Sequence, residues 1–141
     1  MYDIIEFWII NQGGLPLFYF SPKETLDPSL VGGFFSAIQN FARELEGEAD
    51  EEEYIRNISF GGHNFVFHLN KELHLFFIAK SPKKIKIKKV DKHLKNLVRL
   101  FIQDYREEII NFKGNTRQFE DFLSIIERYF EDNFVKLKGM W

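Results

Sequence analysis

Two stretches of this chain have no polar face when read as strands. Ile4 to Ile10 carries Ile4, Ile5, Phe7, Trp8, Ile9 and Ile10 with Glu6 as the sole interruption, and Leu73-His74-Leu75-Phe76-Phe77-Ile78-Ala79 is nearly apolar throughout. Successive side chains of a strand point to opposite faces, so a strand apolar on both must be covered on both and sits inside its sheet. These are the first and fifth of five strand candidates. They can lie side by side in the middle, and the order 2-1-5-4-3 follows.

The remaining elements fit around that pair. Asn11-Gln12-Gly13-Gly14 reads as a tight hairpin turn, since glycine reaches the positive φ such loops need. Leu15 to Phe20 is the second strand, with Pro16 tolerated at the start or on an edge. Asp27 predicts an N-cap and Pro28 the first helical residue. Leu30, Phe34, Ala37, Ile38, Phe41, Ala42 and Leu45 then recur at helical spacing. Phe34, Ile38, Phe41 and Leu45 are expected to face inward, with Phe35 and Gln39 pointing elsewhere. Gly32 and Gly33 fit either a close approach to a neighbouring backbone or a helix that starts only near Phe34.

Tyr54 to Phe60, His63 to Asn70 and Leu73 to Lys80 form a meander, because Gly61-Gly62 and Asn70-Lys71-Glu72 are too short for anything but antiparallel pairing. A helix is expected from about Asp91 to Asn111, stopped by Lys113-Gly114. Asn115 with Gln118 resembles a capping box opening the last helix, which turns Phe119, Phe122, Leu123, Ile126, Phe130 and Phe134 to a core. The expected fold class is α/β, layered as α+β: a five-stranded antiparallel sheet of order 2-1-5-4-3, one helix on one face and two on the other, in a single domain over 1–141. Strands 2 and 3 are left as edges, open to pairing.

Composition narrows the function classes. A chain of 141 residues can bury a sufficient core unaided. It has no cysteine, which excludes a thiol nucleophile, a disulfide framework and a Cys-based zinc site. Met1-Tyr2-Asp3 does not open a secretion signal and no apolar run is long enough to span a bilayer, so a cytoplasmic protein is expected. The 17 phenylalanines say that the core is built from rings.

His63 and His68 fall on opposite faces of one strand, His74 stands on the neighbouring strand and His93 lies elsewhere. No metal and no cofactor are expected. The glycine pairs are turns and not phosphate loops. Ser59 and Ser81 stand near histidines without an acid to complete a triad, so the chain is read as not an enzyme.

The element order, the strand Ile4-Ile5-Glu6-Phe7-Trp8-Ile9-Ile10 and the hairpin Asn11-Gln12-Gly13-Gly14-Leu15-Pro16-Leu17-Phe18-Tyr19 resemble the longin domains. The hairpin is also similar to that of their circularly permuted relatives, the roadblock domains. The strand-first order with two terminal helices favours longin. The resemblance spans the chain in topology and the first hairpin in residues. It implies a protein-interaction platform that binds a small GTPase or another longin or roadblock domain, as a homodimer or heterodimer, through the first helix and an edge strand. No SNARE helix or anchor follows before Trp141, so an adaptor role is expected over fusion, as in a small archaeal-type protein standing alone. Profilin-like and sensor-type domains share such a layered sheet, and a phenylalanine-lined cavity would favour a small-molecule-binding domain of that kind.

On this reading the interface candidates are Leu17 and Tyr19 on strand 2, with Phe34, Phe35, Ile38 and Gln39 on the first helix. Lys83, Lys84, Lys86, Lys88 and Lys89, alternating with Ile85 and Ile87 and followed by Lys92 and Lys95, form a basic segment. It is either a peripheral contact with an anionic membrane or acidic partner, or a solvated linker whose isoleucines dock on the core. The acidic run Glu48, Asp50, Glu51, Glu52 and Glu53 reads as a solvated loop, and Trp141 as a frayed end or an anchor. Nucleic acid is not expected, because the net charge is -2 and no stacking platform is identifiable.

Overall fold

The computed structural model describes residues 3–21, 27–46 and 54–138, with the side chains of residue 46 and of 133–138 left aside. The acidic run and Trp141 lie outside the described residues. The elements are β1 (Glu6–Asn11), β2 (Pro16–Phe20), α1 (Pro28–Glu46), β3 (Asn57–Phe60), β4 (His63–Asn70), β5 (Leu75–Pro82), α2 (Ile87–Ile110), a short 3-10 turn (Thr116–Phe119) and α3 (Phe122–Lys138). All five strands form one antiparallel sheet in the order β2-β1-β5-β4-β3, as the two doubly apolar strands require.

The two faces are packed by different partners. On one side Phe7, Ile9, Phe18, Val66, Phe77 and Ala79 meet Leu94, Leu97, Phe101 and Tyr105 of α2 and Phe119, Phe122 and Ile126 from the chain that follows. Phe101 sits at the centre, with its ring 4.9 Å from Phe122, 5.5 Å from Phe119 and 5.9 Å from Phe77. On the other side Trp8, Ile10, Phe67, Phe76 and Ile78 are covered by α1 through Phe35.

β5 runs Leu75–Pro82 where Leu73–Lys80 was expected, which leaves His74 in the turn before it, and four other local features differ from expectation, each for a visible reason. β3 begins at Asn57 and not Tyr54, because the backbone N–H and C=O of Ile55 are both taken by the Gln39 side chain, at 2.8 and 2.9 Å. The α2 helix begins four residues early at Ile87, whose side chain packs with Ile85 against the core in phase with Val90 and Leu94. Lys88 and Lys89 are thus helical. Asn115 does act as a cap, its Oδ1 accepting from Arg117 N–H at 3.1 Å, but the turn it opens is 3-10 and α3 starts only at Phe122. Finally, a bulge between Ile9 and Ile10 shifts the β1–β2 register. It turns Leu17 into the α2 side, where it is buried next to Phe18, while Tyr19 packs on the opposite face.

Candidate functional site

The rotation of α1 determines the site. Asp27 caps the helix, accepting the Ser29 N–H at 2.8 Å. Gly32 then lies against the β1–β2 turn so closely that a Cβ there would stand 2.2 Å from the Gly14 carbonyl oxygen, and Ser36 Oγ donates to the Gln12 carbonyl at 2.8 Å. Gly14 itself holds a φ of 87°, a conformation open to glycine. With Gly32 pressed to the turn, the residues three and seven positions on, Phe35 and Gln39, must face the sheet. They are 5 % and 2 % exposed.

The stripe expected to point inward therefore points out. Leu30, Phe34, Phe41 and Leu45 are 68 %, 61 %, 63 % and 71 % exposed. This corrects the expected rotation at Phe35 and Gln39, which face the sheet, Phe35 at the inner wall of the groove described next, and places Phe34 outside. Leu17 is likewise withdrawn, sealed in the opposite core, whereas Tyr19 is half-buried with its ring stacked 5.1 Å from Trp8. Of the two readings of the glycine pair, close backbone approach is the one that holds, at Gly32, and it marks the face of the helix that touches the sheet.

Below α1 the sheet is left partly uncovered. An apolar groove of about 360 Å³ runs there, walled by Leu30, Phe34 and Ile38 and floored by Trp8 and Phe65, with Phe60 at its far side. Ile38 is thus a groove residue. Phe60 is 77 % exposed at the end of edge strand β3. The polar end of the groove holds Glu6, which accepts from Ser21 Oγ at 3.0 Å and lies 4.0 Å from Lys80 Nζ. The indole N–H of Trp8 is buried with no hydrogen-bond acceptor among the described residues.

The groove is poorly furnished for chemistry. Burial pushes the His68 imidazole below its usual range and the Tyr105 phenol above its own, and neither residue lines the groove. Ser59 Oγ donates to Asn64 Oδ1 at 2.6 Å, and Ser81 Oγ is buried with no hydrogen-bond partner among the described residues, so neither serine is bonded to a histidine there. His74 bonds Gln12 Nε2 at 3.2 Å in a turn, and His93 lies between Asp3 and Tyr129 at 3.0 and 2.6 Å. Among the described residues no three His, Asp or Glu side chains gather as a metal site. No described helix is long and apolar enough to cross a membrane.

The lysine-rich segment occupies one end of the sheet. Pro82 pairs with His63 and His63 with Phe60, while Lys83 N–H donates to the Gly62 carbonyl at 2.9 Å. Lys83, Lys84, Lys86, Lys88 and Lys89 are all exposed, and Lys89 reaches Asp3 at 3.2 Å. Ile85 and Ile87 dock on the core beneath them.

Comparison with known proteins bears on fold alone. No family model matches the sequence, and no curated protein does. Solved structures do. A chain of the mammalian SRP receptor structure is 20 % identical with a TM-score of 0.59, over 94 % of this chain and 95 % of that one. A chain of the signal recognition particle receptor SRb-GTP/SRX complex from Chaetomium thermophilum is 20 % identical with a TM-score of 0.56, over 96 % and 98 %. The Roadblock/LC7 domain from Streptomyces avermitilis is 7 % identical with a TM-score of 0.59, over 74 % and 87 %. Together with the sheet order and the three helices, these neighbours show that the chain has a longin-like α/β fold.

Proposed function

We propose that this chain is a non-catalytic protein-interaction platform whose docking surface is the outer face of α1 with the adjoining groove. The observation that carries the reading is the exposed stripe Leu30, Phe34, Phe41 and Leu45. Four large apolar side chains turned to water along one helix face form a patch of the kind that marks protein contacts. The partner is a small GTPase, or a second longin or roadblock domain in a homodimer or heterodimer. Support for the former comes from the Chaetomium thermophilum neighbour, which is part of an SRb-GTP/SRX complex. Edge strand β2 offers its backbone as an additional pairing line, with Tyr19 as the flanking ring.

The test is mass in solution by light scattering over a concentration series, for the wild type beside Phe34→Asp and Phe41→Asp, followed by binding of purified small GTPases loaded with GDP or a GTP analogue. Self-association, or nucleotide-dependent binding, that either substitution abolishes while the fold survives is the expected result. Association indifferent to both substitutions, or none with any of these proteins, would overturn it.

The groove favours a second reading, a small-molecule-binding domain of the profilin-like or sensor type. Its volume lies in the range of ligand sites, and Trp8 places an unmatched donor at the floor. An apolar fluorescent probe displaced by Phe65→Trp but not by Phe41→Asp would favour this reading over the platform.

A further inference from the structure

We propose that the end of the sheet formed by Phe60, the Gly61-Gly62 turn and the Lys83–Lys89 segment is a peripheral membrane contact that meets an anionic phospholipid surface. Three observations carry it; Phe60 also borders the groove, and none of the three depends on the outer face of α1.

Charge is segregated there. Between residues 83 and 92 stand six lysines and one acidic residue, Asp91, in a chain whose net charge is -2. Asp91 is engaged by Lys95 at 2.9 Å, and Lys89 is tied to Asp3. Lys83, Lys84, Lys86, Lys88 and Lys92 make no ion pair among the described residues and are exposed. Anionic leaflets attract such clusters within a Debye length of the surface.

The segment is also held in place. Ile85 and Ile87 are packed into the core, Ile85 N–H donates to the Pro82 carbonyl at 3.0 Å, and Lys83 is bonded to Gly62. The lysines are therefore exposed on fixed backbone. This differs from a solvated linker, whose backbone is not held.

The Lys83–Gly62 bond, finally, joins the basic turn to the hairpin that carries Phe60, the most exposed large apolar residue described. Phe60 borders the groove on the α1 face and shares this end of the sheet with the lysines, and an exposed ring at a basic end is the combination that lets a protein insert an apolar wedge while its charges stay among headgroups. A nucleic acid fits less well. The segment holds no arginine to grip phosphates at fixed positions, and Phe60 stands alone where strand binding needs several stacking rings. Lysine point charges suit a laterally mobile array of headgroups.

The full chain is to be co-sedimented with phosphatidylcholine vesicles, with and without phosphatidylserine, at low and high salt. Expected is binding to the phosphatidylserine vesicles alone, lost at high salt. The triple variant Lys83→Gln, Lys84→Gln, Lys86→Gln should weaken it about 100-fold, at about fivefold for each charge. Phe60→Ser should weaken it about tenfold through lost insertion. Lys113→Gln with Arg117→Gln, at the opposite end, should leave it unchanged, and thermal unfolding should match across the set. Equal binding to neutral vesicles, survival of binding in the triple variant, or failure to sediment at low salt would overturn the proposal. So would capture of polyglutamate or single-stranded RNA without vesicle binding. Phe34→Asp breaks the platform surface and leaves the lysines intact, so the two readings fail separately.

Discussion

The two faces of the sheet are built from the same residue types and finished differently. Against α2 and α3 the aromatic side chains close completely: Phe7, Phe77, Phe101, Phe119 and Phe122 are all fully buried. Against α1 a single helix covers part of the face, and its own apolar residues are divided between the sheet and water. Apolar content alone therefore does not locate a core. What distinguishes the faces is how many elements converge, since two helices can seal a surface that one leaves with a groove.

The strongest way to test that contrast is to remove a ring from each side. Phe101→Ala should destabilise the protein by about 3–5 kcal/mol, because the cavity left among Phe77, Phe119 and Phe122 cannot collapse. Phe41→Ala on the open face should stay within about 0.5 kcal/mol of wild type, as surface changes do. Urea denaturation of both decides it. Similar losses would mean that α1's outer face is buried in solution by something else.

A second comparison is internal to α1. Gly32→Ala forces a methyl into the Gly14 carbonyl and should cost about 3 kcal/mol, the upper part of the overpacking range. Gly33→Ala meets nothing within 4 Å and should stabilise by about 0.5–1 kcal/mol through helix propensity. Opposite signs at adjacent glycines, measured by thermal unfolding, would confirm that backbone contact fixes the helix rotation.

That rotation is where reading the sequence stopped. The sheet order was legible because Ile4–Ile10 and Leu73–Ala79 lack a polar face, and a strand's period of two leaves no freedom. The register of Leu17 was not legible, since a one-residue bulge moves a side chain across the sheet without changing composition. Nor was the rotation of α1, whose outer stripe is longer and more apolar than its inner one. A helix with two apolar stripes offers two rotations, and the choice is made by Gly32 against Gly14 and by Gln39 against Ile55, contacts that lie far apart in the chain.

Gln39 sharpens the same point at smaller cost. Its carboxamide donates to the Ile55 carbonyl and accepts the Ile55 N–H, replacing strand pairing where β3 has not yet begun. Gln39→Leu keeps the bulk and strands both backbone groups, at about 2 kcal/mol. Amide exchange should quicken at Ile55 and along α1 while α2 stays protected. Uniform quickening would mean that both faces open together.

The smallest effect separates the faces by titration. His68 lies on the α2 side of β4, with its ring 6.4 Å from Phe77, and burial is the main cause of its lowered pKa. Asp91 opposes that shift, while Lys95 and Arg56 reinforce it. The unfolded chain takes up a proton near the ordinary imidazole value of about 6.5, whereas the folded one resists until the pH is lower. Between those points the unfolded state binds more protons, so stability falls as the pH drops below 6.5 and levels off beneath the folded pKa. His68→Gln removes that slope. Denaturant midpoints for wild type and variant should differ in their pH dependence only across this window, and parallel profiles would show that His68 is solvated and that the sealed face is wetter than its packing implies.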